Sequence, residues 1–74
     1  MSKQIANNIE KARLSRGLTQ EQTASFLDIS RTTYINIESG KSTPNVGIIE
    51  RLSTKLNIPI AEFKKLLVEN MFAE

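Results

Sequence analysis

Four side chains in the segment Arg31-Thr32-Thr33-Tyr34-Ile35-Asn36 define the chemistry open to this chain. Arg31 carries a planar fork of donors, Asn36 a carboxamide that donates and accepts side by side, and Thr32 a hydroxyl that does either. Ile35 adds an apolar surface. Such a set recognises hydrogen-bonding edges; it does not break bonds. The rest of the composition points the same way. With no cysteine and no histidine, disulfides, zinc knuckles, thiol nucleophiles and imidazole-based triads are excluded. Asp28, Glu38 and Glu50 are present, but no spacing pairs two carboxylates for acid–base work. No catalytic residue, metal, cofactor or small-molecule ligand is expected.

These side chains need a scaffold, and 74 residues make one domain, residues 1–74, with a modest core. Apolar residues at 39% and charged residues at 24% suit a small folded unit. Five helices are expected, over about 3–16, 20–27, 31–38, 46–56 and 60–72. Ile5, Ile9 and Ala12 repeat with helical period, and Gly17 suits the left-handed position that closes a helix. Thr19 and Gln22 have the spacing of a capping box, in which each side chain bonds the other's backbone N–H.

Ser30 is the expected cap of the third helix, with Ile29 placed to staple against Tyr34. Thr32, Thr33, Ile35 and Tyr34 favour a strand by propensity. The serine cap, the Tyr34/Ile37 spacing and the lack of a partner strand favour a helix instead. After a loop over 39–45, Asn45 caps a fourth helix whose buried side is read as Val46, Ile49, Leu52 and Leu56. Asn57 suits a left-handed exit. Pro59 suits the first turn of a fifth helix, which carries Ile60, Phe63, Leu66, Leu67 and Met71 on one side and Phe72 near its end.

Helix, short turn, helix, within an all-α domain of this size, resembles the helix-turn-helix of phage-repressor-like regulators, the Cro and lambda-repressor or XRE type. The resemblance runs from about Ile5 to Phe63. It is densest in Gly17-Leu18-Thr19-Gln20-Glu21-Gln22-Thr23-Ala24 and Leu27-Asp28-Ile29-Ser30-Arg31-Thr32-Thr33-Tyr34. Ile37-Glu38-Ser39-Gly40-Lys41, Pro44 and Leu56-Asn57-Ile58 continue it in register. The resemblance implies a compact five-helix lambda-repressor-like fold in which helices 2 and 3 form the motif and helix 3 docks in the major groove.

Ile29, Tyr34 and Ile37 would then pack helix 3 onto the body, leaving Arg31, Thr32, Ile35 and Asn36 outward. Arg31 suits a bidentate contact to guanine, Asn36 one to adenine, Thr32 either role, and Ile35 a thymine methyl. Solvated surface residues are the plainer reading of each. The resemblance further implies a phosphate contact for Gln20 and for the loop residues Ser39, Lys41, Ser42 and Thr43. Lys3 and Arg16 are flanking phosphate candidates. It also implies a structural ion pair between Arg13 and Glu38 that sets the angle of the reading helix.

Some positions depart from the family pattern. Asp28 stands where glycine is usual in the turn. Thr23 replaces a buried leucine and Phe26 an exposed polar residue; Phe26 is expected to fold inward and fill the space, the other account being a contact surface. Glu50 replaces a commonly apolar residue, with Ile48 apolar beside it.

Formal net charge is +2, with the excess in residues 1–20, where Lys3, Lys11, Arg13 and Arg16 face Glu10 alone. No apolar run reaches the ~20 residues that span a bilayer, and the start of the chain lacks a secretory signal's apolar core. A cytoplasmic, nucleoid-associated, prokaryotic or phage protein is expected, with no membrane partner. The implied function is a sequence-specific regulator of transcription, a repressor that binds a palindromic site in double-stranded DNA as a homodimer. Leu67, Met71 and Phe72 form the candidate dimer surface, a simple core helix being the alternative. A regulatory protein partner is compatible with this size. The second reading is an antitoxin or adaptor that uses the same fold to bind protein through Phe26, Ile35 and Phe72.

Overall fold

The computed structural model describes residues 3–72, with side chains through Val68. Five α-helices follow one another: α1 (Lys3–Ser15), α2 (Gln20–Phe26), α3 (Arg31–Glu38), α4 (Val46–Leu56) and α5 (Lys64–Phe72), the last preceded by a 3-10 turn over Ile60–Phe63. No strand occurs among the described residues. The capping chemistry explains the boundaries. Thr19 Oγ1 accepts from Gln22 N–H at 3.0 Å while Gln22 Oε1 accepts from Thr19 N–H at 2.9 Å, which completes the capping box. Ser30 Oγ accepts from Thr33 N–H at 3.1 Å, and Asn45 Oδ1 from Ile48 N–H at 2.9 Å. The serine cap and the burial of Tyr34 and Ile37 override the strand propensity of α3, because tertiary packing outweighs intrinsic preference.

The first three helices close in one way. Gly17, Asp28 and Gly40 sit in the left-handed region at φ 66°, 59° and 85°. Leu18, Ile29 and Lys41, one residue on, donate N–H bonds back to the Arg13, Ala24 and Asn36 carbonyls at 3.2, 3.0 and 2.9 Å. Gly17, Asp28 and Gly40 themselves donate to Leu14, Ser25 and Ile37. This is the Schellman pattern. It stops α1 at Ser15 and α2 at Phe26, one residue short of the expected ends at 16 and 27. Asn57 closes α4 at φ 54°. The fifth helix departs from expectation at its start. Pro59 lies outside it with extended backbone (ψ 129°) and offers no side-chain cap. Glu62 N–H turns to the Pro59 carbonyl at 2.9 Å instead, an i→i+3 bond that tightens the first turn.

α2 packs against α3, α1 against α3, and α4 against the 3-10 turn. The core between them holds Ile5, Ile9, Ala24, Leu27, Tyr34, Ile37, Ile48, Ile49, Leu52, Leu56, Ile58, Phe63 and Leu66. Three expected positions are corrected. Val46 is 41% exposed and Ile48 is buried. Ile48, Ile49, Leu52 and Leu56 make one arc of α4; Val46 lies about 60° past its edge and Glu50 on the far side. This accounts for the Ile48/Glu50 pattern. Ile60 is half exposed, and Ile58, ahead of Pro59, fills the core instead. Phe26 does not fold inward but is 51% exposed. Thr23 is fully buried, and its hydroxyl donates to the Thr19 carbonyl at 2.8 Å. With Ala24 and Leu27 it forms the buried arc of α2, and Phe26 falls outside that arc.

Candidate nucleic-acid interface

The packing of α3 decides which side chains remain outside. Tyr34 and Ile37 are buried in the core. Arg31, Thr32 and Thr33, the first turn after the Ser30 cap, are exposed; Ile35 and Asn36 are half-buried. The residues that could read an edge therefore occupy the amino-terminal part of α3 and one turn beyond.

Two open clefts relate α3 to α2. Gln20, Glu21 and Arg31 line one together with Arg13 and Thr19. Gln20, Ile35 and Ser39 line the other with Glu10 and Glu38. Gln20 borders both clefts, beside Arg31 and Glu21 in the first and beside Ile35, Ser39 and Glu10 in the second. Ser39 Oγ donates to the Asn36 carbonyl at 3.1 Å, so its donor is engaged and its lone pairs are free. Asn36 O also receives the Lys41 and Ser42 N–H groups at 2.9 and 3.1 Å, which folds the loop against the end of α3. Lys41 and Thr43 are exposed, Ser42 is half-buried, and Pro44 is buried beneath them.

Behind this face lies a charged cluster. Arg13 Nε and Nη2 donate to Glu38 Oε2 and Oε1 at 2.9 and 3.0 Å, and Nη1 donates to the Leu18 carbonyl at 2.8 Å. The two side chains are 11% and 5% exposed. Gln20 Nε2 adds a third bond to Glu38 Oε1 at 3.2 Å. Burial by itself would raise the Glu38 pKa, but the hydrogen bonds from Arg13, the facing Tyr34 hydroxyl, the Arg13 charge and Gln20 together hold it below its ordinary value. Arg13 is correspondingly raised by its bond to Glu38. The Tyr34 hydroxyl is buried and has no hydrogen-bond partner among the described residues. Burial, then the facing Glu38 carboxylate, push its pKa far up. The pair ties α1 to the end of α3, the helix that carries Arg31.

The remaining expected residues stand apart. Arg16 Nη1 donates to the Ala12 carbonyl at 2.7 Å and to Ser15 Oγ at 3.0 Å, capping α1. Lys3 is exposed at the start of α1. In α5, Leu67 packs against the core as a partly buried residue, while the Met71 and Phe72 side chains lie outside the described residues. One contributor carried no sequence signal: Arg51, on α4, donates from Nη1 to the Leu27 carbonyl at 3.0 Å. An arginine 24 positions along the chain with no local pattern cannot be assigned to a helix end by spacing.

Among the described residues no acidic group gathers to hold a metal ion, and no helix is long and apolar enough to cross a membrane. A helix-turn-helix family model matches residues 9–63. The chain is 32% identical over 58 residues to the cryptic phage CTXphi transcriptional repressor RstR of Vibrio cholerae, covering 78% of this chain and 52% of that one. It is 34% identical over 59 residues to the control protein C.MunI of a Mycoplasma species, covering 78% and 80%. An uncharacterised helix-turn-helix transcriptional regulator of Methanocaldococcus jannaschii is 38% identical over 68 residues, 92% and 91% of the two chains. The chain spans about half the length of the Vibrio repressor and of a Bacillus subtilis prophage regulator that it also matches. No solved structure matches it. Its motif, its buried pair and these relatives agree: the chain belongs to the phage-repressor, or XRE, type of the helix-turn-helix family, DNA-binding regulators of transcription.

Proposed function

We propose that this chain is a sequence-specific repressor that acts on bacterial or phage DNA in the cytoplasm, reading a palindromic operator through the major groove as a homodimer. The observation that carries this reading is the division of α3: Tyr34 and Ile37 are buried, Arg31 and Thr32 are exposed and Ile35 and Asn36 half-buried, with Arg31 and Ile35 bordering clefts that Gln20 also lines. Arg31 takes a guanine, Asn36 an adenine, Ile35 a thymine methyl, and Thr32 a neighbouring edge. Lys41, Ser42 and Thr43, with Ser39 and the second N–H of Gln20, hold the phosphate strand. One such unit reads too few base pairs to find a site in a genome, so two copies on half-sites about one helical turn apart are required. α5 is the surface proposed to join them.

The test is selection of duplexes from a random pool, with binding of the winner measured across salt concentrations. A two-fold-symmetric winner, whose preference is lost in the Arg31→Ala/Asn36→Ala variant, supports the reading. Failure of the folded protein to enrich any duplex at low salt rejects it. Phe26, 51% exposed at the end of α2, favours a second reading in which the same fold docks a protein partner. Binding of such a partner that survives Arg31→Ala/Asn36→Ala and fails in Phe26→Ser would establish it.

A further inference from the structure

We infer that Tyr34 is a positioning residue for the Arg13–Glu38 pair: its hydroxyl is a reserve donor that takes up the Glu38 carboxylate when a DNA phosphate draws Gln20 away from it. This rests on the proposed phosphate contact of Gln20.

Tyr34 is fully buried, and its hydroxyl has no hydrogen-bond partner among the described residues. A buried hydroxyl in that state lowers stability, and a phenylalanine would fill the same space without the loss. The hydroxyl is nevertheless well placed. Tyr34 and Glu38 stand four positions apart on α3, so their side chains share one face of the helix. Burial, and after it the facing carboxylate, keep the phenol protonated, which leaves it able to donate.

The carboxylate has room for that donor. Its Oε1 accepts from Arg13 Nη2 at 3.0 Å and from Gln20 Nε2 at 3.2 Å, whereas Oε2 accepts from Arg13 Nε alone, at 2.9 Å. Each oxygen can take two. Among these three bonds the one from Gln20 is the longest. Arg13 is also anchored by a further bond to the Leu18 carbonyl at 2.8 Å, while Gln20 is half-buried and borders both open clefts. Gln20 is therefore the partner that yields.

A phosphate is an anion competing with the carboxylate for the same carboxamide. As it bonds the second N–H of Gln20 it draws the amide outward and weakens the bond to Glu38. The carboxylate, still held by Arg13, then shifts to the Tyr34 hydroxyl. Glu38 keeps its count of donors from the free to the bound state, and the end of α3 stays tied to α1 as the complex forms.

The test compares the wild type with Tyr34→Phe, Gln20→Met and the two combined, by thermal melting without DNA and by affinity for the duplex that the wild type selects. In the wild-type background Tyr34→Phe melts no lower, yet binds about tenfold more weakly, as the loss of one charge-assisted bond in the complex gives. Its base preference is unchanged. In the Gln20→Met background the hydroxyl is already engaged before DNA arrives. Tyr34→Phe there lowers the melting temperature and leaves affinity unaltered. Transfer of the effect from binding to melting is an outcome that a merely structural tyrosine does not give. The inference is overturned if Tyr34→Phe lowers the melting temperature of the otherwise wild-type protein, if its affinity is unchanged, or if its loss of affinity persists in full beside Gln20→Met. A folded wild type that selects no duplex rejects the phosphate contact itself, an outcome distinct from each of these.

Discussion

Arg13 on α1 and Glu38 at the end of α3 meet in a two-pronged ion pair, 2.9 and 3.0 Å long, whose side chains are 11% and 5% exposed. The third arginine donor goes to the Leu18 carbonyl, so one residue joins the end of α3 to the turn ahead of α2. Removing it strands a carboxylate in a nearly closed site. Arg13→Ala is expected to destabilise the fold by about 3 kcal/mol, measured by chemical denaturation at neutral pH. A loss below about 1 kcal/mol is what an exposed pair gives, and would show that the site admits water freely.

The same pair sets a pH dependence. The Glu38 carboxyl titrates below its ordinary value of 4.5 in the folded state. The unfolded chain therefore binds its proton first as the solution is acidified. Stability from this group is fully present above about pH 5 and is lost as pH falls through the folded pKa. Glu38→Gln removes that component. Its stability should be lower at neutral pH and fall less steeply than that of the wild type on acidification. Parallel curves for the two proteins below pH 5 would assign the acid sensitivity to other carboxylates.

Asp28 carries the left-handed residue of the helix-turn-helix turn at φ 59°. An L-residue there costs roughly 1–2 kcal/mol, less for aspartate, and glycine removes the strain at some entropic cost in the unfolded chain. Asp28→Gly should stabilise by about 0.5 kcal/mol, and Asp28→Val should destabilise by more than about 1 kcal/mol. Thermal melts of the two variants check the order. A stabilising valine would mean that the turn does not hold this conformation in solution.

The helices and most of their ends, though not the start of the fifth, are legible because the signals are local. Thr19 and Gln22, Ser30, Asn45, Gly17 and Asn57 lie within four residues of the groups they satisfy. The Arg13–Glu38 pair spans 25 positions and was read from the family resemblance, not from spacing. Phe26, Val46 and Ile60 were misplaced for a common reason. Each sits at the edge of an apolar arc, where hydrophobicity alone does not say which neighbour takes the core. Ile48, Thr23 and Ile58 took those places, Thr23 because the Thr19 carbonyl satisfies its hydroxyl. Arg51 was not legible at all, since its partner is a backbone carbonyl on another helix.

Phe26 provides a direct check on that correction. Phe26→Ser should leave stability within about 0.5 kcal/mol of wild type, as surface substitutions do. An inward Phe26 would instead lose about 3–5 kcal/mol on truncation. Denaturant midpoints at unchanged slope distinguish the two.

Arg51 joins α4 to the carboxyl end of α2, where the helix carbonyls have lost their own partners. Its guanidinium reaches the Leu27 carbonyl at 3.0 Å, beside the strained Asp28, and places positive charge at the negative end of the helix dipole. A hydrogen bond from a charged donor contributes about 1.5–3 kcal/mol, so Arg51→Met, which keeps much of the apolar stem, should lose an amount in that range. Because the bond anchors the turn that leads into Ser30 and Arg31, amide exchange should quicken at Leu27, Asp28 and Ile29 before the rest of α3 is affected. Exchange that rises evenly through α1, α2 and α3 would mean that Arg51 supports the fold as a whole. A change confined to the turn identifies Arg51 as the residue that holds the two arms of the motif at their angle from behind.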